Sequence, residues 1–95
     1  METQTVLPTS TRPIQPLLRD FKNQIKAVYG KRLAHILLYG SWARGEATDH
    51  SDIDWLIALN GVVQPGQEID RLIDIVTDLN LKNNALISIY PISVA

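Results

Sequence analysis

The chain has 95 residues, nine Lys and Arg against ten Asp and Glu, a formal net charge of -1 and no cysteine. Those figures fit one domain burying about 60–65% of its unfolded surface; they exclude a disulfide framework and a thiolate metal site, and the bulk charge calls for neither nucleic acid nor anionic lipid, so any phosphate binding must be local. With 45% hydrophobic and 20% charged residues the composition is that of a folded globule, and no apolar run approaches the roughly 20 residues that span a bilayer.

Residues 1–12 are polar and Thr-rich and are expected to form a flexible tail, without the basic and apolar regions of a signal peptide, ahead of a domain over 13–95. These features predict a cytoplasmic protein that uses neither a membrane nor direct nucleic-acid contact. Ile14, Leu17, Leu18, Phe21, Ile25, Val28 and Tyr29 recur at helical spacing. Pro13 and Pro16 fit only at or before the first turn, and Gly30 is a natural stop. Ala34 to Tyr39 is apolar on both faces and suits an interior strand, with His35 as a core histidine.

Gly40 to Ser51 reads as a loop with room for one helical turn after Ser41, and Ser51 to Leu59 as a second strand ended by Asn60-Gly61. From Pro65 the residues Ile69, Leu72, Ile73, Val76 and Leu79 predict a helix, with Glu68 and Asp70 near its positive end, broken at Lys82-Asn83-Asn84. Ala85 to Tyr90 completes the set as a strand before Pro91. The expected class is α/β, a small mixed β-sheet with helices packed on it in the order α-β-β-α-β.

Alternation along a strand puts Asp52 and Asp54 on one face, roughly 7 Å apart, where two carboxylates can share hard cations such as magnesium. Gly40 lets backbone approach a phosphate closely, Ser41 adds a hydroxyl, and the following turn offers free N–H groups. If the Gly-Ser turn ends one strand and the Asp pair begins an adjacent antiparallel one, triphosphate and metal meet at one sheet edge. Arg44 serves either a phosphate, a partner, or a local ion pair with Glu46 and Asp49. Gly45 permits a tight bend, and Ser51 orients the loop before the aspartates. Trp42 packs on the first helix, covers a nucleotide or touches a partner. His50 reads as a polar loop residue.

The stretch GSWARGEATDHSDID resembles the Gly-Ser, ten residues, Asp-x-Asp signature of polymerase-β-like nucleotidyltransferases, tightly over Leu37 to Leu59 and more loosely from Ile14 to Tyr90. It looks closest to the minimal nucleotidyltransferase antitoxins that pair with HEPN ribonuclease toxins. The resemblance implies the nucleotidyltransferase fold and an enzyme that moves AMP from ATP onto a tyrosine of a HEPN toxin within a hetero-oligomer. In that reading Ser41, Asp52 and Asp54 are catalytic, Gly40, Ser41 and Arg44 bind the nucleotide, and Asp52 and Asp54 hold Mg2+. Related domains carry a third carboxylate on a later strand, where this chain offers only Ser88 as a short polar side chain. Either two acids suffice or activity is weak, so neutralisation by occlusion stands as an alternative. Transfer to a small molecule of the aminoglycoside type is a further one, disfavoured by the little wall so short a chain provides.

Overall fold

The computed structural model describes residues 14–48 and 51–94. The predicted tail over 1–12, together with Pro13, Asp49 and His50, lies outside the described residues. In chain order the elements are α1 (Gln15–Tyr29), a single 3-10 turn (Gly30–Arg32), β1 (Leu33–Tyr39), α2 (Gly40–Arg44), β2 (Ile53–Leu59), α3 (Pro65–Asn83) and β3 (Ile87–Ser93). The expected small mixed sheet with helices on it is what forms, in the expected order, and the helical turn expected after Ser41 is α2, which starts one residue earlier, at Gly40.

The helix limits follow from local chemistry. Pro16 lies in the first turn of α1, where a missing N–H costs nothing. Gly30 ends α1 with φ 53°, and Asn84 ends α3 in the left-handed region, its N–H donating to the Asn80 carbonyl. Asn80 also accepts the Ile87 N–H through its side chain at 2.9 Å, which ties the end of α3 to the start of β3.

The strand order is β1-β2-β3, with β1 antiparallel and β3 parallel to the central β2. This corrects the placement of Ala34 to Tyr39 inside the sheet: β1 is an edge strand, and His35 on it is exposed rather than buried. β3 also starts at Ile87 rather than Ala85 and continues through Pro91 to Ser93. An edge strand tolerates a proline because its missing N–H can face away from the ladder.

Both long helices pack on one face of the sheet. Leu18, Phe21 and Ile25 of α1 and Leu72, Val76 and Leu79 of α3 close over Ile36, Ile53, Trp55, Ile57 and Leu59. Phe21 stacks on Trp55 with ring centroids 5.1 Å apart. Burial of large side chains such as these contributes roughly 1.5–3 kcal/mol each. Val28, Ile69 and Ile73, expected on the apolar stripes, lie on the helix flanks and are exposed. The indole N–H of Trp55 is buried with no hydrogen-bond partner among the described residues.

One charged side chain lies within the packed end remote from the glycine turn. Glu68, 2% exposed, accepts the Tyr29 hydroxyl at 2.8 Å and pairs with Arg71 at 3.0 Å and Arg32 at 3.3 Å. Arg32 also donates to the carbonyls of Asn60 and Val62, joining the start of β1 to the β2–α3 connection. Burial pushes the Glu68 carboxyl up, but the Tyr29 and Arg71 hydrogen bonds and the nearby guanidinium charges outweigh it and hold it below its ordinary value. Burial, reinforced by the hydrogen bond to Glu68, pushes the Tyr29 phenol well above its usual range.

A depressed carboxyl stabilises the fold above its unfolded pKa and loses that contribution as pH falls through the folded one. Wild-type stability should therefore decline from about pH 4.3 downward. Glu68→Gln should cost about 1–3 kcal/mol near neutral pH in denaturant titrations. It should also flatten that acid limb of the stability profile.

Candidate active site

The antiparallel register of β1 and β2 sets Tyr39 opposite Asp54, so the end of one strand and the beginning of the next meet at the same edge of the sheet. Gly40, immediately after Tyr39, turns the chain into α2 with φ 75°. A Cβ at that position would fall on Asp54 Oδ2 and stand 3.2 Å from Asp54 Cγ. A side chain at residue 40 would strain the backbone at its positive φ and would have to displace the Asp54 carboxylate.

Alternation along β2 buries Ile53 and Trp55 under the helices and turns Asp54 to the other face. Asp52 stands just before the strand, which begins at Ile53 rather than at Ser51, and is exposed, while Asp54 is half-buried. Burial pushes the Asp54 carboxyl up, the negative charge of Asp52 adds to the rise, and Arg44 opposes it. Two acid groups are thus held close enough to repel each other, and hard oxygen donors in that state suit a hard divalent cation. Among the described residues no group of three His, Cys, Asp or Glu side chains could hold a metal. Ser88 on β3 is the residue in register with Asp54 on its other side.

Among the described residues Tyr39, which precedes α2, makes no side-chain cap to its first turn, and the N–H groups of a helix's first turn, lacking intrahelical partners, favour anions. Gly45, with φ 74° and ψ 19°, closes α2 as the expected bend, its N–H donating to the carbonyls of Ser41 and Trp42. Arg44 pairs with Glu46 at 3.5 Å, both well exposed. Such a pair is worth no more than about 1 kcal/mol and opens readily, so it leaves the guanidinium available. Ser51 orients the loop as expected: its hydroxyl accepts the Thr48 N–H at 2.8 Å, and its carbonyl lies 3.4 Å from the Trp42 indole nitrogen. Trp42 is half-buried against the core, which is the packing alternative among its three readings.

The structure brings together Gly40, Ser41, Arg44, Asp52 and Asp54 at one sheet edge, and it leaves His35 at the far end of β1. It adds two side chains that spacing alone did not single out. Tyr39 and Tyr90 reach across β2 on the Asp54 face and meet edge to face with ring centroids 5.3 Å apart. Burial and the neighbouring Tyr90 and Asp54 push the Tyr39 phenol up to about 12. Their alternation parity was readable, but only the register of three strands unites them.

Among the described residues Asp52 is exposed and Asp54 half-buried rather than enclosed. A 760 Å³ cleft lies on the helix side between Leu17, Trp42 and Leu86, and a 610 Å³ one beside His35 and Asn60; neither is lined by Asp52 or Asp54. The carboxylates and the glycine turn define the candidate site, because chemistry on phosphate needs positioned charge more than enclosure.

Residues 18–92 match the model of the nucleotidyltransferase domain. A protein of Methanocaldococcus jannaschii that carries the provisional name of protein adenylyltransferase is 41% identical over 71 residues, which are 75% of this chain and 65% of its own length. A second of the same provisional name and organism is 32% identical over 72 residues, 76% of this chain and 72% of that protein. The chain thus spans just under two thirds of the first relative and somewhat more of the second. No solved structure matches it.

Gly40→Ala should destabilise the fold by more than the roughly 1–2 kcal/mol of a left-handed backbone alone. In an Asp54→Ala background the same substitution should cost at least about 0.5 kcal/mol less, a coupling readable from a double-mutant cycle in urea. Equal costs in the two backgrounds would show that the side chain of Asp54 does not set the requirement.

Proposed function

We propose, on the footing that this chain belongs to the nucleotidyltransferase domain family, that it transfers AMP from ATP to a tyrosine of a HEPN ribonuclease toxin and so acts as that toxin's antitoxin. The observation that carries the reading is the close approach of the Gly40 turn to Asp54, which puts a backbone suited to phosphate beside a pair of acids. The provisional names of the relatives, protein adenylyltransferases, support AMP as the group moved and a protein as the acceptor.

In this reading the N–H groups at Gly40 and Ser41 and the Ser41 hydroxyl hold the β- and γ-phosphates, and Arg44 leaves Glu46 to neutralise them. Asp52 and Asp54 hold magnesium, which when bound offsets phosphate charge and aligns the triphosphate. The acceptor phenol gives up its proton to water and attacks the α-phosphorus, a phosphodiester to AMP forms as the bond between the α-phosphorus and the α,β-bridging oxygen breaks, and pyrophosphate departs. Side chains contribute positioning and fixed charge rather than covalent chemistry. The openness of the carboxylate face favours an acceptor that brings its own wall, a protein docking in a hetero-oligomer, over a small aminoglycoside-like molecule. No described helix is long and apolar enough to cross a membrane, in keeping with work in the cytoplasm.

The position of Ser88 supports a second reading. It stands in register with Asp54, where a third acid would complete the set, and a chain without that acid can neutralise its toxin by occlusion alone.

Intact-mass measurement of a HEPN partner incubated with the chain, ATP and magnesium separates the two. Transfer predicts a mass increment of AMP on a partner tyrosine, and Asp52→Asn or Asp54→Asn should slow its appearance at least about 100-fold. Protection of the partner without any increment, equal in wild type and both variants, would establish occlusion instead.

A further inference from the structure

If the phosphates lie at Gly40 and Asp54, as in the reading above on which this inference rests, the nucleoside has to settle on what surrounds them. Across the open face the strand register forms rows. The first joins Tyr39, Asp54 and Ser88, and the second joins Leu37, Leu56 and Tyr90. Successive rows are two residues apart along the strands, roughly 7 Å, a step that a ribose spans. Tyr39 and Tyr90 lean toward each other over the central strand and remain 36% and 46% exposed. Beyond the carboxylates this area offers an aromatic pair on an apolar floor. Ser88 is beside the phosphates, and His35 lies a further row away, about 14 Å from Asp54.

Reading the edge of a base requires donors and acceptors at fixed positions, and the hydroxyls of Tyr39 and Tyr90, the polar groups of this pair, are engaged with each other by a hydrogen bond. Stacking on an aromatic ring needs none, and every base has a face to stack. We propose that the nucleobase rests on the Tyr39–Tyr90 pair, held by stacking, and that the site therefore accepts all four nucleoside triphosphates with little discrimination. The rival location is the helix-side cleft, where Trp42 and the amides of Asn83 and Asn84 could recognise a base edge. That cleft is walled by Ile53 and Leu17, so it opens on the face opposite the carboxylates.

The test is a magnesium-supported binding titration of ATP, GTP, CTP, UTP and inorganic tripolyphosphate to wild type, Tyr90→Ala, Tyr90→Phe and Trp42→Ala. The four nucleotides should bind within about threefold of one another. Tyr90→Ala should weaken all four by about 5- to 150-fold while leaving tripolyphosphate unchanged, and Tyr90→Phe should keep wild-type affinity. Preference for one base by tenfold or more overturns the inference. So does unchanged nucleotide affinity in Tyr90→Ala, or loss of nucleotide affinity in Trp42→Ala alone. In those cases tripolyphosphate binding persists and the phosphate site survives. Absence of tripolyphosphate binding from the wild type overturns both.

Discussion

The contact between the Gly40 backbone and the Asp54 side chain is the constraint on which the rest of the site depends. It requires β1 to end opposite the beginning of β2, because only that register places Tyr39 across from Asp54 and the turn against the carboxylate. It favours a residue without a Cβ at the turn. It also fixes which side of β2 carries the candidate site: Asp54 and Leu56 look out, while Ile53, Trp55 and Ile57 anchor the strand beneath the helices. The arrangement costs stability, since it holds Asp54 partly buried beside the like charge of Asp52. The core under the same strand offsets that cost.

The buried charged cluster and the candidate site are separated along the sheet. The Glu68 cluster clamps Tyr29, Arg32 and the β2–α3 connection at the end where Leu33 pairs with Leu59. The candidate site occupies the other end, about 20 Å away along seven-residue strands. One end carries a buried carboxylate with every charge answered, and the other presents carboxylates left to repel. Belonging to the nucleotidyltransferase family gives that second end its meaning: the unanswered charge is what a bound cation and a triphosphate would complete.

Much of this was legible in the chain itself because the signals were local. Pro16, Gly30 and the Asn83-Asn84 break mark helix limits through backbone chemistry that needs no tertiary context, and the Gly-Ser turn and the Asp-x-Asp pair carry their spacing in the sequence. What was not legible depends on pairing. Ala34 to Tyr39 is apolar on both faces, which suggested an interior strand, yet β1 is an edge whose second face is uncovered among the described residues. His35 follows that strand into solvent. Glu68 read as an acid at a helix start, and only packing with Tyr29 and Arg32, remote in sequence, buries it. Pro91 suggested the end of a strand where an edge position allowed it to continue. Tyr39 and Tyr90 became neighbours only once three strands were in register.

If Asp54 is placed for ligand binding at the expense of the unliganded fold, thermal unfolding of wild type and Asp54→Asn, each with and without magnesium and ATP, will reveal it. A carboxyl whose pKa is raised by folding destabilises the native state at neutral pH, so the neutral variant should melt at the wild-type temperature or above it when unliganded. Magnesium and ATP should then raise the melting temperature of the wild type and leave the variant unmoved. A variant less stable without ligand, and stabilised by ligand as much as the wild type, would contradict the account.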